Sequence, residues 1–510
     1  MQSNATAIGC EATPRSLIAL SRPKFLIFQA LNIAAFSSFI GNLQPGILLL
    51  SGFVSILLYG LLLYTEVMSS QWSVTPLLCY GTTSLLRVGG SAVFLASIYM
   101  SGLGEAVQFV RFDPHDYIMQ GQLLLLVGDW FFLAGYFAAE RLLCGKASTH
   151  AAIPRASTHD LLVMGILLIS LGWGIRIASL AINLNALGGG PGKLMGFSML
   201  AGILFLLIAR DGMEPSVRVV WTVIVLAVVG FELAAALKGY MKQNVIRTLL
   251  PVGVYYFQRI SIRRFHVKIS LRRLLPVAVL AYFIVMVLFP YVAMRRGGRY
   301  RRFADTSVRT SLRRSLSAAI PCTQAFYEVH RFPTEGYWTF FTRNEWTSAA
   351  AWAVHRVEVN GTISGKTLMD GFTAIVPRIV WSEKPRISPG RDFAVLLGQA
   401  KSFETATTCT GLGLAATFYW NGGPLLAGFG MFVAGALLAA TWMLIRRRIL
   451  INPMATIIYS ILVLESFRWF EGAFDGGLSF YAYIYIVFVP LMLLLQLFFF
   501  SEPVYRRPTG

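Results

Sequence analysis

The residues best suited to chemistry lie together in one polar stretch, Arg295 to Gly411. Its centre reads Val376-Pro377-Arg378-Ile379-Val380-Trp381-Ser382-Glu383-Lys384-Pro385-Arg386, followed by Pro389-Gly390-Arg391-Asp392. Arg378, Lys384, Arg386 and Arg391 supply cationic donors, and three prolines restrict the backbone that carries them. Glu383, Asp392 and Glu404 are the acidic groups, with His355 and Arg356 just upstream. Such a set can hold an anionic leaving group such as a diphosphate while one carboxylate or imidazole takes a proton from an attacking hydroxyl. No metal is needed where arginines carry the charge. Glu383, Asp392, Glu404 and His355 stand as equal candidates for the base.

A second group of charges falls inside or at the ends of apolar runs: Arg87, Asp129, Arg176, Glu232, Arg247, Glu465 and Arg468. Ionisable groups in hydrocarbon are costly, so they face a protein interior or a wet cavity. Structural pairing, for example Arg87 with Asp129, is one reading. A polar cavity open to the side of the long loop is the other, since Arg176, Glu232, Arg247, Glu465 and Arg468 all map to the outer halves of their spans; Arg176, Arg247 and Arg468 would be its anion contacts. The turn Lys238-Gly239-Tyr240-Met241-Lys242-Gln243-Asn244 taken alone reads as a solvated turn at the headgroups; with Arg247 just beyond and the loop arginines nearby, Lys242 becomes a candidate phosphate contact.

These residues need a frame. The chain has 510 residues, of which 56% are hydrophobic and only 13% charged. Soluble domains carry about 25% charged residues. The expected class is an all-α polytopic membrane protein with about 12 transmembrane helices. The spans are read at 25–41, 46–65, 75–100, 117–138, 161–184, 194–209, 217–237, 245–258, 274–294, 422–444, 454–470 and 478–500. A bundle over 1–294, a loop over 295–421 that includes amphipathic helices between Ser315 and Ala353, and a bundle over 422–510 follow from that count. The net charge of +20 concentrates at helix ends, which speaks for a membrane and against nucleic acid.

Basic clusters at Arg259–Arg273, Arg446–Arg448 and Arg141–Arg155 share one side under this count. That side is cytoplasmic by the positive-inside bias, with both termini there and the long loop outside. Arg295, Arg296, Arg299, Arg301, Arg302, Arg309, Arg313 and Arg314 break the rule. Either the eighth span is no true crossing and the loop is inside, or the cluster is kept outside for a function, which is the preferred reading. No cleavable signal peptide is apparent. Cys10, Cys79, Cys144, Cys322 and Cys409 contain no CxxC pair, so no metal or cofactor is expected. An extracytoplasmic loop would allow Cys322 and Cys409 to pair as a disulfide, and two unpaired thiols are the other reading.

Pro377-Arg378-Ile379-Val380-Trp381-Ser382-Glu383-Lys384-Pro385 resembles the Pro-Arg-aromatic-x-x-Lys-Pro segment of bacterial oligosaccharide repeat-unit polymerases, the Wzy-type O-antigen and exopolysaccharide polymerases. Thr417-Phe418-Tyr419-Trp420-Asn421-Gly422-Gly423-Pro424 resembles the entry to their next membrane helix, and Gly239-Tyr240-Met241-Lys242 their Gly-x-x-basic turn. Thr417 stands where that family has Glu, so no carboxylate role carries over to it. Lys242 stands for the more usual Arg, which keeps charge and loses bidentate geometry. The resemblance implies a GT-C-like membrane glycosyltransferase of the bacterial inner membrane. Its donor and acceptor would be undecaprenyl-diphosphate-linked glycans, with a flippase and a chain-length regulator as partners. It implies diphosphate or glycan contacts for Arg378, Lys384, Arg386, Arg391, Lys242 and Arg247. An O-antigen ligase, which transfers finished glycan to the lipid A core, and a polysaccharide flippase or transporter remain the alternatives.

Overall fold

A computed structural model of the chain describes residues 21–69, 75–101, 115–144, 157–181, 190–238, 248–249, 252, 346–376, 381, 383–384, 389–396, 401–402, 411–445, 458–459 and 484–499. Among these residues every regular element is helical. The elements are α1 (Arg22–Ser37), α2 (Pro45–Ser69), α3 (Pro76–Met100), α4 (Ile118–Cys144), α5 (Thr158–Ala181), α6 (Gly190–Asp211), α7 (Pro215–Lys238), α8 (Thr347–Asn360), α9 (Lys366–Ile375), α10 (Pro389–Leu396), α11 (Leu414–Ile445) and α12 (Val489–Phe499). Seven of them, α2 to α7 and α11, are long and apolar enough to cross a membrane. These match seven expected spans. α1, with 16 residues, is shorter than a full crossing at about 24 Å. The expected spans at 245–258, 274–294 and 454–470 lie almost wholly outside the described residues, as does most of the stretch from Ser315 to Ala353.

The helices form two packed groups. One core joins α1 to α4 with α8, α10 and α11. The other joins α5, α6, α7 and α12. Tyr485, in the π-helical turn before α12, donates its hydroxyl to Thr441 Oγ1 on α11 at 3.3 Å and links the two. Outside the cores, Val219, Val220, Val223, Leu226 and Phe231 of α7 are exposed. Such a face is stable against hydrocarbon and unfavourable against water.

Lipid tails are as apolar as leucine, so helices in a bilayer associate through close packing and polar contacts. α4 provides the closest packing. Gly121, Gly128 and Gly135 recur every seven residues along it and form one narrow groove. A Cβ on Gly121 would overlap the Thr347 carbonyl and Ala351 backbone of α8, and one on Gly135 would overlap the Phe432 carbonyl of α11. At Gly128 it would stand 2.7 Å from the Ala415 methyl. Gly435 answers from α11, where a Cβ would overlap the Phe132 carbonyl. The device recurs between α2 and α3, where a Cβ on Gly52 would lie 2.9 Å from the Gly89 oxygen.

α11 is not one straight rod. Its helix is broken at Gly422 (φ −159°, ψ 24°) and Gly423 (φ 72°, ψ −162°), with Pro424 next. Only glycine adopts the second conformation without strain. The Phe418 ring comes within 2.7 Å of a Cβ built on Gly430. In a continuous helix those residues would be about 18 Å apart along the axis. The chain therefore doubles back: 414–421 is a short helix laid against 424–445, and the latter is the membrane-length segment, about 33 Å long.

One end of the first group is tied by charge. Arg22 of α1 pairs with Glu140 of α4 and, at 3.3 Å, with Glu66 of α2. Thr75 donates to Glu66 at 3.0 Å while its oxygen accepts the Leu78 N–H and caps α3.

Gly135→Ala is expected to cost about 1–3 kcal/mol of stability, because the added methyl must push α11 off α4. Gly174→Ala, where nothing lies within 4 Å, is expected to be neutral or slightly stabilising. Thermal unfolding midpoints of the two variants in detergent check this, and equal midpoints would remove the groove's role.

Candidate functional site

The described part of the polar stretch is built into the first helix group. α8 has no side-chain cap of its own, and Ser91 of α3 supplies one from outside. The Ser91 Oγ accepts the backbone N–H groups of Trp346 at 3.1 Å and Thr347 at 3.2 Å. Thr347 Oγ1 lies 2.8 Å from Ser91 Oγ and donates to Gln122 Oε1 at 2.8 Å. Gln122 Nε2 in turn donates to the Val88 carbonyl at 3.1 Å. Val88 belongs to a π-helical turn, Leu85–Gly90, within α3. Polar bonds of this kind are costly to leave unmade in an apolar core, so they fix the depth of α8 on α3 and α4.

From that anchor the remaining elements follow. Trp352 of α8, Phe393 of α10 and Trp420 of α11 form an aromatic cluster with centroids 4.6, 6.0 and 6.2 Å apart. Trp352 meets both other rings edge-on, at 85° and 80°, a geometry the ring quadrupoles favour. It seats α10, and with it Arg391 and Asp392. α9 starts at the turn of the α11 hairpin. Ile363 N–H donates to the Trp420 carbonyl at 3.1 Å and Gly365 N–H to the Asn421 carbonyl at 3.0 Å. The buried Asn421 amide then accepts the Thr367 N–H at 3.1 Å and donates to the Thr417 carbonyl at 2.7 Å and to Thr367 Oγ1. α9 ends where Pro377 forces Val376 into extended backbone (φ −65°, ψ 123°). Lys384 folds back on that end. Its Nζ donates to the Val376 carbonyl at 2.8 Å, and its N–H to the Trp381 carbonyl at 3.2 Å.

Asp392 is a candidate base in a perturbed environment. Burial pushes its carboxyl above the ordinary carboxylate range, Lys366 of α9 draws it back, and Asp370 of α9 pushes it up again. A half-buried carboxylate of this kind is a better proton acceptor than a free one. Glu383 is exposed. His355 is half-buried on α8, with its ring edge-on to Tyr117 at 4.7 Å. Arg391 is half-buried beside Asp392 in the first turn of α10. Glu404, Arg378, Arg386, Lys242, Arg247 and Arg468 lie outside the described residues, as do Cys322 and Cys409.

Two of the intramembrane charges resolve differently from the simple expectation. Arg87 does not form an ion pair with Asp129. Asp129 Oδ1 accepts hydroxyls from Tyr80 and, at 2.9 Å, Ser84, whereas the Arg87 guanidinium stands over the Trp346 ring at 4.8 Å. Arg176, in contrast, is paired. It binds Glu232 of α7 through two nitrogens at 2.7 and 3.1 Å and covers the Trp173 ring at 5.1 Å. That pair sits in the second helix group, and its bidentate geometry occupies donors that the cavity reading would give to a phosphate.

Lys366, Asp370, Asn421, Ser91 and Gln122 are residues of this assembly that residue-type reasoning passed over. Lys366 and Asp370 carry a signal, opposite charges four apart on one helix. Asn421 lies inside the Trp-Asn-Gly-Gly-Pro run. Ser91 and Gln122 carry none, being single polar residues in apolar helices. Among the described residues no group of three or more His, Cys, Asp or Glu could hold a metal.

Because Lys366 lowers and Asp370 raises the Asp392 carboxyl, Lys366→Met is expected to move its titration to higher pH and Asp370→Asn to lower pH. The carboxylate band in infrared titrations, taken as the difference from Asp392→Asn in the same background, reads both shifts. Bands unmoved in both variants would separate Asp392 from α9.

The chain matches no family model, no curated protein and no solved structure.

Proposed function

We propose that this chain is a repeat-unit polymerase of the Wzy type, a GT-C-like glycosyltransferase of the bacterial inner membrane. In this reading it has twelve spans with both termini in the cytoplasm, and the loop over 295–421 lies on the outer face. Its donor is a growing glycan on undecaprenyl diphosphate and its acceptor a single lipid-linked repeat unit. A flippase supplies that unit, and a chain-length regulator acts on the product.

The observation that carries the reading is the setting of Asp392. A half-buried carboxyl, raised above its ordinary range, sits at the start of α10, directly after the basic Pro377–Arg386 segment. A base and a set of cations are what transfer from a lipid diphosphate requires. The packing of α8, α10 and α11 around Trp352, Phe393 and Trp420 supports the reading further, because a catalytic group must be held on rigid elements.

The reaction then runs as a single displacement at each turn. The acceptor hydroxyl attacks the anomeric carbon of the donor, and Asp392 takes the hydroxyl proton. The bond from that carbon to the diphosphate oxygen breaks, and the leaving diphosphate takes the electron pair. Arg378, Lys384, Arg386 and Arg391 offset its charge, with Lys242 from the turn that follows α7 in the sequence and Arg247 just beyond that turn. Whichever face of the sugar is attacked, one proton moves and no metal takes part in these steps.

Deleting the gene is expected to leave single repeat units on the lipid carrier at the outer face and no long chains. Restoring it with Asp392→Asn or Arg378→Ala is expected to lower polymer yield by about 100-fold or more while the protein stays in the membrane. Chain length and sidedness of lipid-linked glycan read the outcome. Long polymer persisting on the carrier in the deletion strain would point to a ligase, and units held on the cytoplasmic face to a flippase; either overturns the proposal.

A further inference from the structure

α9 is amphipathic in the opposite sense from a helix at a wet protein surface. Its inward residues are Thr367 and Gly371, buried, with Leu368 packed against the core beside them. Its outward edge is Lys366, Met369 and Phe372, spaced three apart. Met369 is 65% exposed and Phe372 54%. In water this arrangement wets the two largest apolar side chains and buries a threonine.

We propose that α9 lies in the plane of the membrane surface and that lipid acyl chains cover its Met369–Phe372 edge. Three observations commit the surface to lipid. The first is continuity. α9 begins on the Trp420 and Asn421 carbonyls, at the turn from which 424–445 sets out. The first turns of that segment expose Leu425 at 86% and Phe429 at 67%, so α9 sets out beside the exposed apolar end of a membrane-length helix. The second is charge. Lys366 is exposed on the same edge at the start of α9, where an ammonium reaches anionic headgroups while the apolar side chains beyond it stay below them. The third is Trp381, 43% exposed in the turn just after α9, a residue type that favours the membrane–water boundary. Helices of this kind sit with their apolar face about 5–10 Å into the boundary between headgroups and acyl chains. The inference rests on α9, Trp381 just after it and α11, and holds whether or not the chain is a polymerase. It has a consequence for the site, since Lys366 and Asp370, whose charges act on the Asp392 carboxyl beside the effect of its burial, would then stand at headgroup depth.

The full-length protein in phospholipid nanodiscs tests this. Nitroxide labels at Met369→Cys and Phe372→Cys are expected to relax strongly with dissolved oxygen and weakly with a water-soluble nickel chelate. A label at Lys366→Cys is expected to show the reverse. Strong nickel access at positions 369 and 372 would mean a wet surface and would overturn the proposal. Shielding from both reagents would mean cover by protein, a second copy or another partner, and would overturn it equally. Should the background lacking the native cysteines fail to fold, the unaltered protein can be reconstituted with a phospholipid carrying a diazirine in its acyl chain. Crosslinks to the peptide holding residues 366–376 are then expected, and their absence under conditions that label 424–445 counts against the proposal.

Discussion

The molecule depends on how closely two backbones can approach along α4. Gly121, Gly128 and Gly135 leave a groove with no side chains, and α8 and α11 fill it from top to bottom. In hydrocarbon, burying apolar area drives nothing, so helices meet where small residues let van der Waals contact and backbone dipoles come close. A seven-residue repeat keeps such a groove on one face over four turns. Everything later in the chain that is placed with respect to α4 inherits its position from these three glycines: α8 through Gly121, 414–421 through Gly128, and 424–445 through Gly135.

Upon that contact a second layer of interactions is polar. Ser91 and Gln122 hold the start of α8, and Asn421 holds the start of α9. Each uses a side chain to satisfy backbone groups of a different segment, which is the commonest answer to exposed helix ends in a dry setting. The outcome is a short series of helices, α8 to α10, whose ends are tied to the membrane bundle. Lys384 belongs to the same pattern. Its ammonium closes the end of α9, so the residue that reads as a phosphate contact has a structural bond as well.

The helical class and seven of the spans were legible from apolar runs because a membrane crossing imposes length and composition on consecutive residues. The hairpin at 422–423 was half legible. The expected span began at the right place, and the preceding helix, folded against it, was hidden because Leu414 to Tyr419 is apolar either way. The site was less legible. Asp392 stood out as one of several acids, and what distinguishes it is first its burial in the packed helices and then Lys366 and Asp370 on another helix, over twenty residues away. The pairing of Arg87 with Asp129 failed for the same reason. Opposite charges in apolar helices invite each other, yet Tyr80 and Ser84 reach Asp129 and an aromatic face takes the guanidinium. Nothing local to either residue reports those partners.

The π-helical turn of α3 has a consequence of its own. One extra residue per turn rotates everything after it by about 100° relative to everything before. Tyr80 and Ser84 precede the turn and address Asp129, whereas Ser91 follows it and addresses α8. The two halves of α3 are thus out of phase, and the helix serves two neighbours that no single stripe on a regular helix would reach. What this part of the chain must preserve is therefore a residue count between Ser84 and Ser91, more than the identity of any side chain between them.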